Sequence, residues 1–193
     1  MSNSWDDYAG GWDTNEAVVF YCEKAYESLI DSVTLKNLNV LDFGCGTGLL
    51  TEKISKCAQS VLAVDPSEKM IAILSGKGLT NVSIMNSELT QNVIDTNKGL
   101  HGSFDLIVAS SALAFVPNYQ QTLKLLNQLL KKGGLLVQWD WLKTTDSSDI
   151  GFSKKEVEVS LQQAGYISSS ISLPFSIKKG SEKMDVIMVI AHK

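Results

Sequence analysis

Short apolar runs alternate with longer amphipathic segments over most of the chain. The apolar runs are rich in β-branched and aromatic residues and end at glycine, proline or polar clusters, which is typical of β-strands. The segments between them repeat apolar residues every three or four positions, which predicts helices. The predicted strands span residues 40–43, 61–64, 82–85, 104–109, 135–141, 166–173 and 184–191. The predicted helices span residues 16–31, 49–58, 118–131 and 154–164. A further helix is predicted to begin at Pro66, Ser67 and Glu68 and to end at Gly76 and Gly78.

This alternation predicts an α/β fold in which helices cover both faces of a parallel sheet. In such folds the functional side chains gather at the carboxyl ends of the strands, near the point where the strand order reverses. No repeat, low-complexity segment or linker divides the 193 residues. We therefore expect one domain over residues 1–193, with a leading helical segment over 1–35 and a core sheet unit over 36–193.

The charge pattern is unusual because all 17 of the basic residues are lysines and the chain contains no arginine. A planar guanidinium that binds carboxylate or phosphate through two parallel hydrogen bonds is therefore excluded within this chain. The net charge of −4 also disfavours a nucleic-acid-binding surface. Compositional bias of the genome is the simpler origin of the missing arginine.

The termini and cysteines favour a reduced, cytoplasmic setting. Residues 1–17 are acidic and hold no apolar run, so we expect neither a signal peptide nor an anchor. The longest apolar stretches are too short, or too broken by glycine and polar residues, to span a bilayer. Cys22, Cys45 and Cys57 form no CxxC pair. This pattern favours free thiols over disulfides, and no metal site is expected.

The most informative segment is VLDFGCGTGLLT, residues 40–51. It predicts a strand that ends in Asp42, a turn with Gly44, Gly46 and Gly48, and the start of a helix. Glycine permits positive φ and a close approach of the backbone to a ligand, and free N–H groups at a helix start suit a carboxylate or phosphate. The G-x-G-x-G spacing differs from the G-x-G-x-x-G of dinucleotide-binding folds, which disfavours a nicotinamide oxidoreductase.

A second acid, Asp65, follows the next predicted strand, 21 residues after Gly44. An acid at about this spacing accepts hydrogen bonds from ribose hydroxyls in nucleotide-binding α/β folds. The alternative is that Asp65 only caps the helix that Pro66 opens. The ribose role is favoured because the glycine turn independently predicts a ligand at the same place.

On these motifs the sequence resembles the class I S-adenosylmethionine-dependent methyltransferases, most closely the small methyltransferase type 11 group. The resemblance covers residues 5–165, where SFDLIVASSALAFVPN and LLKKGGLLV resemble later motifs of the family. It implies a three-layer, Rossmann-like fold with a seven-stranded sheet that is mostly parallel and has an antiparallel last strand. It also implies that S-adenosyl-L-methionine is the cofactor.

The resemblance assigns parts of the cofactor to particular positions. The loop after the first strand is assigned to the methionine part, Asp65 to the ribose, and the neighbourhood of Pro66 and Met70 to the adenine. Asn86 departs from the family pattern, which often has an acid at this position. The implied cofactor-binding residues are Asp42, Gly44, Cys45, Gly46, Gly48, Asp65, Pro66, Met70, Ser87, Glu88, Ala109, Ser110, Tyr8 and Trp12.

The candidate catalytic side chain is chosen by the edge of the sheet at which each residue is expected to lie. His101 precedes the fourth predicted strand and His192 ends the last, so both are expected at the edge opposite the site. Asp140 ends the fifth strand on the site side and is the predicted base or hydrogen-bond partner of the acceptor. Trp139 and Trp141 beside it either wall an acceptor pocket or belong to the core.

The acidic N-terminal segment carries three aromatic residues, Trp5, Tyr8 and Trp12. In similar methyltransferases this segment folds over the cofactor as a lid, which implies that Tyr8 and Trp12 lie near the donor methyl. The alternative is an aromatic cluster that only anchors the leading helix.

These features favour a methyltransferase that moves a methyl group to a small-molecule acceptor by in-line displacement. The segment 110–113, SSAL, lacks the Asn/Asp-Pro-Pro-aromatic motif of amino-methylating DNA and glutamine enzymes, which together with the acidic composition argues against a nucleic-acid partner. No membrane partner is expected either, because no apolar stretch is long enough to span a bilayer. Without arginine, a neutral or weakly charged acceptor is favoured. The alternative is a non-catalytic or cofactor-sensing methyltransferase-fold protein that acts through a protein partner. The oligomeric state stays open between monomer and homodimer.

Overall fold

A mixed β-sheet forms the centre of the protein. The computed structural model describes residues 4–143, 150–179 and 182–193. Within them the strands are β1 (Asn39–Phe43), β2 (Ser60–Asp65), β3 (Val82–Asn86), β4 (Phe104–Ser110), β5 (Leu130–Trp141), β6 (Ser168–Lys179) and β7 (Glu182–His192). They form one seven-stranded sheet in the order β3-β2-β1-β4-β5-β7-β6.

The strand directions confirm the predicted topology. β1 pairs in parallel with β2 and β4, and the parallel pairing continues to β3 and β5. The last strand, β7, lies antiparallel between β5 and β6. The order reverses between β1 and β4, so the carboxyl ends of β1, β2, β4 and β5 share one edge around this point.

Six α-helices are present among the described residues. They are α1 (Glu16–Ser32), α2 (Leu49–Ser55), α3 (Glu68–Gly76), α4 (Gln91–Thr96), α5 (Tyr119–Leu129) and α6 (Lys154–Gln163). Short 3-10 helices span Ser4–Asp7, Ala9–Thr14, Lys98–Leu100 and Leu113–Phe115. The helix starts follow from capping side chains, since Asn15, Ser67, Thr90, Asn118 and Ser153 each accept a hydrogen bond from a first-turn N–H. The predicted capping box of Ser153 and Glu156 is confirmed.

Several boundaries differ from the sequence predictions. The helix expected over 49–58 stops at Ser55, and α3 starts after the cap at Ser67, so that Pro66 lies before the helix. The helix expected to reach Lys131 ends at Leu129, and β5 begins directly at Leu130. The short α4 was not predicted, because six residues give too little periodicity.

The largest difference is in β6, which runs on to Lys179 through the Pro174 region that the sequence predicts to be a loop. β6 is the outer strand and pairs only with β7. A proline is tolerated on an edge strand because the missing N–H would face outward. The pairing register also shifts between Ser172 and Phe175, so Pro174 lies at an irregularity.

Side chains of alternating strand positions pack against helices on both faces, which makes the three layers that the resemblance implies. One face packs Leu41, Ile107, Leu136 and Ile187 against α5 and α6. The other packs Val40, Val108, Val137 and Trp139 against α1 and α2. Among the described residues, no helix combines the length and hydropathy needed to traverse a bilayer.

A buried hydrogen bond attaches α1 to the sheet. The indole Nε1 of Trp139 donates to the Oγ atom of Ser28 over 2.9 Å, and Trp139 is fully buried. Indole nitrogen is a donor without an acceptor function, so it needs this oxygen when it is removed from water. The bond therefore fixes the face of α1 that meets β5.

We expect Ser28→Ala to lower the free energy of unfolding by about 1–3 kcal/mol, because it leaves a buried donor without a partner. The matched control is Ser32→Ala on the exposed end of the same helix, where the hydroxyl only donates to a backbone carbonyl. Urea denaturation of both variants measures the difference. Equal stability of the two variants would contradict a structural role for the Trp139–Ser28 bond.

Candidate functional site

The glycine turn after β1 lies at the carboxyl edge of the sheet, where the strand order reverses. Its glycines, Gly44, Gly46 and Gly48, have φ values of 68°, 55° and 81°. The amides of Gly44 and Cys45 donate to the carbonyl oxygen of Val64 over 2.8 and 3.2 Å. The turn is therefore held against the end of β2.

Packing explains two of these glycines. A Cβ atom on Gly44 would lie 2.5 Å from Cβ of Ala112, and a Cβ atom on Gly48 would lie 2.3 Å from Cδ1 of Leu74. Both positions therefore exclude a side chain even without a ligand. At Gly46 the nearest atoms would be Trp12 Nε1 at 3.7 Å and Met70 Sδ at 3.9 Å. Gly46 thus faces two side chains of the predicted cofactor site at van der Waals distance.

Asp65 connects the glycine turn to the following helix. Its Oδ2 atom accepts a hydrogen bond from the Gly46 amide at 2.9 Å, and its Oδ1 atom accepts one from the Ser67 amide at 2.8 Å. Burial raises the pKa of Asp65, while the two amide donors lower it. The bond from the Ser67 amide is the local contact that the helix-capping alternative predicts. The carboxylate also lies beside the glycine turn, as the ribose role requires.

Asp42 lies deeper than Asp65. Its side chain is 1% exposed, and its Oδ2 atom accepts a hydrogen bond from Thr51 Oγ1 at 2.6 Å. Burial raises its pKa to about 7, the Thr51 bond lowers it, and the charge of Asp65 raises it further. In this structure Asp42 holds the first turns of α2, and its contact with a cofactor stays a prediction.

The other predicted residues near the turn differ in exposure. The Cys45 thiol is buried, and burial together with the charges of Asp42 and Asp65 raises its pKa, so it stays protonated and poorly nucleophilic. Met70 is buried beside the turn, whereas Pro66 is exposed.

The segment after β3 is tied to β2. The Asn86 side-chain amide donates to the Asp65 carbonyl oxygen at 3.0 Å, and the Ser87 amide donates to the same oxygen at 3.2 Å. The Ser87 hydroxyl donates to the Glu88 carbonyl. An acid in place of Asn86 could not make this donor contact when ionised, which gives a physical reason for the departure from the family pattern.

The N-terminal segment contacts the turn through acids as well as aromatic rings. Asp6 accepts hydrogen bonds from the Ser67 hydroxyl and the Lys69 amide at the start of α3. Asp13 accepts a hydrogen bond from the Thr47 hydroxyl and pairs with Lys77 at 3.0 Å. Sequence reasoning missed both anchors, because it treated these acids only as evidence against a signal peptide.

The aromatic residues of this segment are placed unequally. Trp12 borders Gly46, and the Trp5 ring packs edge-on against Phe115 at 5.0 Å and against Trp12 at 6.0 Å. Tyr8 is 60% exposed, with its ring 6.0 Å from Trp5. Trp12 therefore lies beside the glycine turn, and Tyr8 points largely to solvent in this structure. A position of either ring near the donor methyl stays a prediction.

The ends of β4 and β5 carry the predicted catalytic residue. Ala109 is fully buried, Ser110 is partly exposed, and Ser110 pairs with Trp139 across the two strands. Asp140 accepts hydrogen bonds from the Ala114 amide at 3.3 Å and the Gln138 side-chain amide at 2.9 Å. Burial raises the pKa of Asp140 to about 7, while these two donors lower it. A carboxyl group with this pKa can hold or release a proton near neutrality.

The two histidines lie away from these residues. His101 follows the 3-10 helix before β4, and His192 pairs with Leu135 near the start of β5. Both are at the amino edge of the parallel strands, as their sequence positions predict.

Comparison with known proteins places this site in a family context. Residues 41–136 match the family model described as a methyltransferase domain. An uncharacterized methyltransferase of Bacillus cereus is 30% identical over 139 residues, which are 70% of this chain and 61% of that protein. The ubiquinone biosynthesis O-methyltransferase of Coxiella burnetii is 35% identical over 104 residues, which are 54% of this chain and 44% of that protein.

The fold has close structural relatives as well. The crystal structure of a SAM-dependent methyltransferase from Aquifex aeolicus superimposes with a TM-score of 0.64 at 23% identity, covering 86% of this chain and 88% of that one. Of the two sequence relatives, this chain spans about three fifths of the length of the Bacillus cereus protein and less than half of the length of the Coxiella burnetii protein.

We expect the buried Asp140 to make stability depend on pH. A carboxyl pKa raised to about 7 stabilises the folded protein at acidic pH, and this contribution is lost as the pH rises through that value. Relative to wild type, the free energy of unfolding of Asp140→Asn should therefore rise by about 2–3 kcal/mol from pH 5 to pH 8. Urea denaturation at both pH values measures the change.

The control is Asp185→Asn. Hydrogen bonds from Ser176 and Lys183 lower the pKa of Asp185, so it titrates below this window. Its stability difference from wild type should be the same at pH 5 and pH 8. A pH-independent difference for Asp140→Asn as well would show that the Asp140 carboxyl is not protonated in the folded state.

Proposed function

Because the chain belongs to the class I S-adenosylmethionine-dependent methyltransferases, we propose that it transfers a methyl group from S-adenosylmethionine to a small-molecule acceptor. The observation that carries the proposal is the hydrogen bond from the Gly46 amide to Asp65. It joins the glycine turn and the second acid into one site at the carboxyl edge of the sheet.

The residues around this bond fit the cofactor. Asp65 has lone pairs beyond those used by Gly46 and Ser67, and it would bind the ribose hydroxyls. The methionine part of the cofactor would be bound by Asp42 and by the backbone from Gly44 to Gly48, which includes Cys45. Met70, which is buried, would be an apolar neighbour of the adenine together with Pro66, Ser87 and Glu88. Ala109 and Ser110 would border the methyl group.

The bound cofactor supplies a methyl group on a positively charged sulfur, and the protein supplies position and a dry site. Trp12, Trp5 and Phe115 provide an apolar cover over the turn. Asp140, whose pKa burial raises to about 7, would hold a proton released by the acceptor.

A neutral or weakly charged hydroxyl compound is the acceptor class that we favour. The chain has no arginine with which to clamp a phosphate or dicarboxylate. The similarity to a protein named as an O-methyltransferase supports an oxygen acceptor. We place the reaction in the cytoplasm, in keeping with the free thiols of the three cysteines.

We expect Asp65→Ala to weaken S-adenosylmethionine binding by about 10- to 100-fold, because it removes charge-assisted hydrogen bonds to the ribose. Asp105→Ala is the matched control, since Asp105 binds Lys131 near the start of β4 at the opposite edge. Isothermal titration calorimetry measures both, and circular dichroism checks the fold. Unchanged affinity in Asp65→Ala would contradict the ribose assignment.

A separate assay tests methyl transfer by the wild-type protein to a panel of hydroxyl compounds. Cofactor binding without methyl transfer to any of these compounds would favour the cofactor-sensing alternative.

We also propose that residues 4–14 act as a lid, so deletion of residues 1–13 should weaken cofactor binding at least about tenfold through loss of apolar cover. The deletion keeps Asn15, which caps α1, so the fold should persist. Ile167→Ala, an exposed apolar truncation far from the turn, is the control. Wild-type affinity in the deletion variant, measured by calorimetry, would overturn the lid hypothesis.

A further inference from the structure

Two fully buried polar side chains of β5 lie on an otherwise apolar face of the sheet. Gln138 and Asp140 are each 0% exposed, and they follow Leu136 at alternate positions of the strand. Alternate residues of a strand point to the same face, so both lie on the face that packs against α5 and α6. Apolar residues of similar volume would pack this face without the cost of removing polar groups from water. The two polar side chains therefore require an explanation other than packing.

Hydrogen bonds join these two side chains to the elements on either side. The Tyr119 hydroxyl donates to Gln138 Oε1 over 2.8 Å, and Gln138 Nε2 donates to Asp140 Oδ2 over 2.9 Å. The other carboxylate oxygen, Oδ1, accepts from the Ala114 amide over 3.3 Å. One continuous chain of hydrogen bonds therefore runs from the first residue of α5, through β5, to the segment that follows β4.

The direction of this chain favours the ionised form of Asp140. A side-chain amide has one end that accepts and one end that donates, so a donor at Gln138 Oε1 leaves Nε2 turned toward Asp140. Tyr119 has a single hydroxyl proton, and it donates that proton to this oxygen. Tyr119 thus selects the amide orientation in which Asp140 receives a hydrogen bond, and a donor to a carboxylate favours its charged form.

The outer end of the chain is held by an aromatic contact. The rings of Tyr119 and Phe152 have their centres 4.2 Å apart at an angle of 32°, and the Phe152 amide donates to the Trp141 carbonyl oxygen over 2.9 Å. The segment after β5 therefore packs on the tyrosine ring and fixes the position of its hydroxyl. Tyr119 is partly exposed, whereas Asp140 at the inner end is fully buried.

Hydrogen bonds, and not ion pairs, act on the buried Asp140 carboxyl group. Burial raises the pKa of Asp140 to about 7, the Gln138 and Ala114 donors lower it, and no charge of another described residue contributes. The titratable groups that feel the Asp140 charge are Tyr119 on α5 and Tyr21 on α1, and burial together with this charge raises the pKa of both phenols. Both therefore stay neutral near pH 7, so the proton affinity of Asp140 depends on its donors.

We propose that Gln138 and Tyr119 are positioning residues of the methyl-transfer site, which orient the Asp140 carboxylate and set the pH at which it takes up the proton of the acceptor hydroxyl. The proposal rests on the proposed function, in which Asp140 holds this proton. Each carboxylate oxygen accepts one hydrogen bond and keeps a second lone pair. The proton moves from the acceptor oxygen to one of these lone pairs, the electron pair of the broken O–H bond stays on the acceptor, and the carboxyl group becomes neutral.

Carbon NMR of the full chain, labelled with ¹³C at the aspartate carboxyl groups, measures the Asp140 titration with and without S-adenosylhomocysteine. The variant Asp140→Asn identifies the Asp140 signal by its loss. We expect the midpoint to rise by at least about half a pH unit in Tyr119→Phe, and by about one unit or more in Gln138→Leu, because each variant weakens or removes a donor to the carboxylate. An unchanged or lowered midpoint in either variant would overturn the proposal.

The matched control is Tyr166→Phe. Tyr166 belongs to the same buried cluster, but its hydroxyl donates to the Leu123 carbonyl oxygen over 3.4 Å instead of joining this chain. We expect Asp140 to keep its wild-type midpoint in this variant. A similar shift in Tyr166→Phe and Tyr119→Phe would mean that the loss of any hydroxyl from this cluster disturbs Asp140, which would contradict a specific role of Tyr119.

Two further measurements separate this proposal from the proposed function. By calorimetry, Tyr119→Phe should bind S-adenosylmethionine within about twofold of wild type, because the predicted cofactor contacts lie around Asp65 and Gly46. In methyl transfer to a hydroxyl compound, the rise of rate with pH should move to higher pH by the same shift that NMR measures. A midpoint shift in a protein that transfers no methyl group would support the control of Asp140 and contradict the proposed function. Methyl transfer with an unshifted midpoint would do the reverse.

Discussion

The tight turn after β1 is the constraint on which the rest of the site depends. It has to pass between β2 and the segment after β4, so that Gly44 packs against Ala112 and Gly48 against Leu74 with no space for a side chain at either position. The turn is also tied to β2 through the Val64 carbonyl and the Asp65 carboxylate. Since β1 lies between β2 and β4 in the sheet, one rigid turn sets the spacing between the predicted cofactor end and the predicted acceptor end.

Buried acids dominate the electrostatics around this turn. Asp42, Asp65 and Asp140 all have raised pKa values, chiefly because burial disfavours their charged forms. Their partners are hydroxyl and amide donors, and none of them forms an ion pair among the described residues. Such acids are poorly suited to bind an anion but well suited to accept from hydroxyl or amine groups.

The acids of the N-terminal segment serve a different purpose. Asp6 binds the first turn of α3, a position where negative charge is favoured, and Asp13 binds Thr47 and Lys77 beside the glycine turn. These contacts dock a segment of 3-10 helix that has little regular structure of its own to stabilise it. A cover held by a few polar contacts can be displaced at lower cost than one held by a large apolar interface.

The sequence alone determined the features that depend on local patterns. Alternating strands and helices, the capping box at Ser153, the glycine turn and the edge at which each candidate residue lies all follow from residue spacing along the chain. The extension of β6 through Pro174 was decided by tertiary structure, because only its place at the edge of the sheet makes a proline tolerable there. The same holds for the packing origin of Gly44 and Gly48 and for the anchors Asp6 and Asp13. Each of these joins residues that are distant in sequence, and no local periodicity records which distant side chains will share a space.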